Sequence, residues 1–205
     1  MLTQAGLKLL NEVGLEKLTL RLLGRSLGIQ AGTLYWHFKS KEELLDEMAT
    51  SALSQLVLPR ESSDWDRCAG SFGFGLRRTL LTYRDGARMV SGTRLTNTEY
   101  MKTVERIAAT IVESGFTVRE ATVLLSTIYN YTLSFVMEEQ AVYPRPGERS
   151  PAYDIAKRNA RLDPKDFPLL RRSGAILFDN FDRRYREGLN LILRGAQHRH
   201  STRHA

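Results

Sequence analysis

Cysteine is almost missing from this chain. Cys68 is the single one in 205 residues, so no internal disulfide can form, and no Cys or His stands beside it at zinc-ligand spacing. A half-buried structural thiol is the expected role. Also missing is any apolar run of the roughly 18 to 20 residues that a membrane-spanning helix needs, and Met1 leads into an amphipathic segment instead of a basic stretch and an apolar signal core. The chain therefore reads as a soluble cytoplasmic protein with no membrane partner. No stretch sustains the period-two alternation of a half-buried strand, which argues against a sheet-based fold. Catalytic signatures are missing too: there is no Gly-rich phosphate loop, no HExxH, and no His or Asp pattern around Cys68. No metal or cofactor is expected. The rival reading, an enzyme with a helical small-molecule pocket, calls for a nucleophile and base pair in the body, and none is found.

What is present begins with positive charge. The formal net charge is +7, which suggests a polyanionic partner once the charge is located. Residues 1–41 carry six basic side chains, Lys8, Lys17, Arg21, Arg25, Lys39 and Lys41, against Glu12 and Glu16 alone. Glu42, Glu43, Asp46 and Glu47 then cancel that excess of four. A nucleic-acid surface must therefore be a narrow face of the first 41 residues, with the remaining excess in the C-terminal part.

Helical spacing of Leu7, Leu10 and Val13 ahead of Gly14 predicts a first helix over 2–13. It opens directly at Met1, so the start reads as trimmed or misplaced. Thr19 can cap a second helix over 20–27 that ends at Gly28, and a third short helix follows over 31–38. Two short helices around a glycine turn are the helix-turn-helix plan, with Leu23, Leu27, Ile29, Leu34 and Phe38 facing one small core. Ser40 and Glu43 form a capping box that starts a fourth helix running through Leu44, Leu45, Met48 and Leu56, and Pro59 to Asp64 reads as a polar break. Further starts are marked by Thr96 with Glu99, Thr117 with Glu120, and Asp163 before Pro164.

The fold class is therefore all-α. A three-helix head over 1–46 precedes a ligand-binding and dimerisation domain over 47–205, in which 47–58 is a connecting helix. The segment 197–205, with His198, His200 and His204, reads as a frayed, disordered tail. Ala121 to Met137 is apolar nearly all round, and Phe178, Phe181, Tyr185, Leu189 and Ile192 form a stripe wanting a partner; together they predict a bundle between two subunits. Tyr143 to Arg161 reads as a long connection with at most one short helix.

The pattern Gly28-x-x-x-Gly-Thr-Leu-Tyr-Trp-His-Phe-x-x-Lys41 resembles the DNA-binding head of the tetracycline-repressor family. Tyr83-Arg-Asp-Gly-Ala-Arg88, Gly92-Thr-Arg94 and Thr132-Leu-Ser-Phe-Val-Met-Glu-Glu-Gln140 extend the resemblance into the sensor domain of the tetracycline repressors. The resemblance implies a homodimeric repressor that holds two reading helices on a palindromic operator and is released by a small inducer, with transcriptional activation as the alternative sign of control. It implies Arg21 and Thr33 as base readers, Tyr35, His37 and Lys41 as phosphate anchors, and Trp36 on the same face. Ala31-Gly32 replaces the Gln-Pro of the tetracycline repressors, so one base-reading amide is lost and a different operator is expected.

The sensor departs from that pattern. Val90 stands where a histidine binds the metal, Phe72 where an asparagine grips the drug, and Val57 where another histidine does. Thr93, Arg94 and Glu138 do match, although the last one's counterpart orients metal-bound water. The expected ligand site is Val57, Phe72, Leu76, Met89, Val90, Thr93, Arg94, Arg106, Asn130 and Glu138, an apolar and aromatic pocket with a few polar hooks. It suits a neutral or anionic aromatic or polycyclic inducer and not magnesium-tetracycline.

Overall fold

The computed structural model describes residues 1–56, 64–94, 98–145 and 147–204, which form an all-helical protein with no β-strand among them. In the head, α1 (Leu2–Val13), α2 (Leu20–Leu27) and α3 (Ala31–His37) close on a core of Leu7, Leu10, Leu18, Leu23, Leu34 and Phe38. Thr19 caps α2 by accepting the Leu22 N–H at 3.1 Å, and Gly28 ends it in the left-handed region at φ 67°, a conformation that glycine adopts without strain. That turn sets α3 across α2.

The next helix, α4 (Lys41–Ser54), starts at Ser40, whose hydroxyl accepts the Glu43 N–H at 3.2 Å; Glu43 in turn accepts the Lys39 N–H at 2.6 Å. Leu44 and Met48 of α4 are buried with the head, and its later turns pack on the body. The expected domain boundary at 46/47 thus falls inside one continuous helix.

The body consists of α5 (Trp65–Leu81), α6 (Gly86–Val90), α7 (Thr98–Glu113), α8 (Val118–Val142), a 3-10 turn (Pro151–Tyr153), α9 (Ile155–Ala160), α10 (Pro168–Phe178) and α11 (Phe181–His204). Helix α5 is its axis, packed by α7, α8 and α11. Gly73 permits the closest approach. A Cβ there would stand 2.9 Å from the Tyr185 hydroxyl, so a side chain would push α11 away. Helix α8 opens with the full capping box, in which Thr117 and Glu120 each accept the other's backbone N–H.

Several sequence expectations need correction. Helix α4 stops at Ser54, short of Leu56, and Leu27 is exposed instead of joining the head core. The connection after α8 holds both the 3-10 turn and α9. Asp163 accepts the Lys165 N–H in a local turn, and the helix it was expected to start opens at Pro168 instead. The tail is not frayed: α11 runs to His204, and the His200 ring stacks on Phe116 at 4.2 Å. Val57, Pro59 to Ser63 and Thr96 lie outside the described residues.

The largest correction concerns the stripe on α11. Phe181, Tyr185 and Leu189 are buried within their own chain against α5 and α8, with Phe181 edge-on to Phe135 at 5.7 Å and to Tyr143 at 5.9 Å. A break at Asp179–Asn180, where Asn180 accepts the Arg183 N–H at 3.0 Å, separates α10 from α11 and turns Phe178 aside onto Tyr153. Phe181→Asp is therefore expected to collapse the fold, because it places a carboxylate between aromatic rings, and not to release folded monomers. Circular dichroism separates the outcomes, since a helical, soluble monomer would contradict this placement.

Candidate nucleic-acid interface and sensor interior

On the head, α3 buries Leu34 and presents Thr33, Tyr35, Trp36 and His37 to solvent. Trp36 is 91% exposed and Tyr35 is 55% exposed. Two large aromatics held outward on a seven-residue helix are not core residues, and their apolar surface calls for a partner. Arg21 is exposed on the first turn of α2, and Arg25 joins it one turn later on the same face; sequence reading did not single out Arg25. At Gly32 a Cβ would meet nothing within 4 Å, so this face has a bare spot one turn before Trp36.

Lys41 is placed differently from the other basic groups. Its Nζ donates to the Leu15 carbonyl at 2.9 Å, bracing the α1–α2 turn, and the residue is half-buried. An ammonium has three protons. A phosphate contact and this brace can coexist.

The same α1–α2 turn is fastened to the body. The Leu15 N–H donates to Asp85 Oδ2 at 2.9 Å, and the Arg84 N–H donates to Asn11 Oδ1 at 2.8 Å. Arg88 pairs with Glu16, and that bond holds the Glu16 carboxyl below its ordinary pKa. Asp85 is the one described non-glycine residue with positive φ, at 56°. Such strain persists only where surroundings enforce it. Gln140 of α8 supplies the enforcement: its Oε1 accepts the Ala87 N–H at 3.1 Å, and its Nε2 donates to the Tyr83 and Leu80 carbonyls at 2.7 and 3.3 Å. The 80–88 turn is thus gripped by α8 on one side and grips the head on the other.

In the interior, Phe72, Leu76, Met89 and Val90 are all buried, on α5 and α6. Thr93 is half-buried with its hydroxyl turned back to the Val90 carbonyl at 2.8 Å. Arg94, Arg106 and Asn130 face solvent in the single chain, and the Arg94 N–H is held by Asp46 at 3.0 Å. Glu138 is engaged by Arg184 at 2.6 Å. The structure therefore gathers the apolar members of the expected site and turns its arginines outward. Val90, with only aliphatic carbon at the end of α6, has no lone pair for a cation. These residues do not fit a magnesium-bound ligand.

Sequence reading missed two buried polar residues, Tyr100 and Arg77, and the half-buried Tyr129. Tyr100 of α7 and Tyr129 of α8 carry phenols whose ionisation burial pushes upward. Arg77 of α5 holds both oxygens of Glu139, at 2.9 and 2.6 Å, and reaches Asp182 at 2.6 Å. Burial opposes its charge, yet the two carboxylates outweigh burial and raise its pKa. No local motif marks these groups, because their partners lie far off in sequence.

Residues 2–48 match the family described as bacterial regulatory proteins, tetR family, and residues 58–199 match the family described as tetracyclin repressor-like, C-terminal domain. The chain is 36% identical to the tetracycline repressor protein class D of Escherichia coli over 195 residues, covering 93% of this chain and 85% of that protein. A possible TetR family transcriptional regulator from Streptomyces coelicolor A3(2) superimposes with a TM-score of 0.84 at 30% identity, over 96% of this chain and 97% of that one. A TetR variant from Acinetobacter baumannii AYE, in complex with minocycline, superimposes with a TM-score of 0.74 at 29% identity, over 97% and 96% of the two chains.

Proposed function

This chain belongs to the tetracycline-repressor family of bacterial transcriptional regulators, and from that premise we propose that it is a cytoplasmic repressor, not an enzyme, whose homodimer binds a palindromic operator and lets go when a small organic molecule enters the body. The observation that carries the reading is the outward face of Arg21, Thr33, Tyr35, Trp36 and His37, fastened through the 80–88 turn to an apolar interior. A short helix of this kind fits the major groove, and a two-fold dimer would hold its two reading helices roughly 34 to 36 Å apart. Ligand in the interior would shift α6 and α8, and Gln140 and Asp85 would carry that shift to the head. The ligand can move the balance only by its differential affinity for the two arrangements.

Selection of a duplex from a random pool, followed by gel-shift titration, tests the DNA half. Arg21→Ala is expected to relax discrimination at particular base pairs by roughly 1 to 3 kcal/mol. Tyr35→Ala should weaken binding to all sequences alike, and Lys41→Ala should also lower the salt slope by about one phosphate contact. Because Lys41 braces Leu15, its loss should lower the melting temperature as well. A parent protein without sequence preference overturns the reading.

The dimer surface follows from what α8 and α11 leave uncovered. Val123 and Thr127 of α8 line an open groove with Leu191, Ile192, Gly195 and Ala196 of α11, and Leu191 is 73% exposed. Small residues beside exposed branched ones allow a second helix pair to approach closely. Leu191→Glu should leave the fold intact, since the side chain already meets water, and yield monomers in sedimentation. Unchanged dimers would place the interface elsewhere.

A further inference from the structure

Helix α2 buries Leu20, Leu23 and Gly24 and turns Arg21 and Arg25 outward, four residues apart and therefore one turn above the other. Neither side chain makes a hydrogen bond or an ion pair among the described residues. Elsewhere the chain spends guanidinium groups on structure, and Arg77, Arg88, Arg149 and Arg184 are each held by a carboxylate. Carboxylates of the head are themselves engaged: Glu16 is taken by Arg88, and Glu43 by the Lys39 N–H. The five donors of Arg25 are left for something outside the chain.

An exposed arginine alone would mean little, but this one stands beside open space. The corner between α2 and α3 contains Gly28 and Gly32, and a Cβ added at either would meet nothing within 4 Å. The Ser26 hydroxyl, next to Arg25, is folded back onto the Leu23 carbonyl at 2.8 Å. Past the corner, Thr33 and Trp36 project from α3 into solvent. A long side chain from the last turn of α2 can therefore extend across the corner without displacing anything.

We propose that Arg25 is a second base-reading arginine, which reaches the major groove past the bare Gly32 and binds a guanine close to the base pair read by Arg21. The assignment rests on the reading of the head as an operator-binding surface. It goes beyond that reading by adding a selecting residue that no motif marks and by naming the base. A guanidinium fork matches the two acceptors, O6 and N7, that guanine shows in the major groove. Residues four apart on a helix are separated by about 6 Å along its axis, which is roughly two base-pair steps of about 3.4 Å. Each operator half-site is therefore expected to hold two G·C pairs close together, one for each arginine.

The test selects duplexes from a random pool with the full-length parent and with its Arg25→Ala and Arg25→Gln variants, then ranks the enriched sites by gel-shift titration. The parent is expected to require G·C at two positions of each half-site. Arg25→Ala should lose discrimination at one of them, by about five- to a hundredfold, and keep the position read by Arg21. Its melting temperature should match the parent's, because the side chain has no bond in the fold to lose. Arg25→Gln should move the preference at that one position from guanine to adenine, since an amide pairs with N6 and N7 of adenine. Equal weakening on all sequences, with the salt slope lowered by about one, assigns Arg25 to a phosphate and overturns the proposal. An unchanged selection profile overturns it too, as does an Arg25→Ala variant that melts well below the parent. A parent that selects no sequence at all fails the operator reading itself, and this inference falls with it.

Discussion

Replacing Arg77 with methionine is expected to destabilise the protein by about 3 kcal/mol, the lower end of the range for removing one partner of a buried ion pair. The lower end applies because the two carboxylates differ. The Glu139 side chain is only 13% exposed and loses a bidentate partner, whereas Asp182 at 80% exposure returns to water freely. Methionine keeps most of the stem volume between Phe135 and Tyr185, over whose rings the guanidinium now sits at 5.9 and 5.1 Å. The loss is therefore chiefly electrostatic. In a protein of this size it corresponds to a drop in melting temperature of about 6 to 12 °C. A second change, Glu139→Leu, removes the stranded carboxylate and should restore most of the loss, since an ion pair exchanged for apolar groups is often neutral overall. Urea titrations of the two single variants and the double variant measure this coupling directly. Additive losses would mean that the pair does not act as a unit.

Arg77 also marks where sequence reading stops. Its partners Glu139 and Asp182 stand 62 and 105 residues away, so no local spacing joins them. The head was legible because its determinants are local: Thr19, Gly28 and Ser40 act within three or four residues of themselves, and both ends of α2 and the start of α4 fall where those residues put them. The α11 stripe shows the limit of periodicity. Steps of three and four identify a face that must be covered, but they do not say by what, and Phe181 and Tyr185 are covered by α5 and α8 of their own chain. Leu191, which lies off that stripe, is left 73% exposed. Asp163 before Pro164 has the composition of a helix start and makes a local turn instead, because Pro168 sets the start of α10 four residues later. In the sensor, resemblance located the wall formed by Phe72, Met89 and Val90, yet Arg94, beyond the end of α6, and Arg106, on α7, face outward.

Magnesium-tetracycline is expected to produce no saturable, metal-dependent heat with this protein at micromolar concentration. The tetracycline repressors are its relatives at 36% identity, so the expectation has to come from particular atoms. A magnesium ion demands near-octahedral oxygen or nitrogen ligands at about 2.0 to 2.1 Å and surrenders its waters reluctantly. Val90, buried at the end of α6, presents carbon to the place where the resemblance calls for an imidazole, and Phe72 presents a ring where it calls for an amide. Glu138, Thr93 and Asn130 are the remaining side-chain oxygen donors of the expected site, and Asn130 faces solvent. Glu138 is already bound to Arg184 at 2.6 Å, and the Thr93 hydroxyl donates to the Val90 carbonyl at 2.8 Å. Recruiting either would break a bond already formed and gain one ligand of six. Val90→His supplies one nitrogen at the right element and leaves Phe72 without an amide, so it should restore little. Val90→His together with Phe72→Asn returns both groups and should give a weak signal that vanishes when the metal is chelated. Tight, magnesium-dependent binding by the parent chain would show that donors other than these are within reach of the ion, and would overturn the reading of the interior as an apolar site.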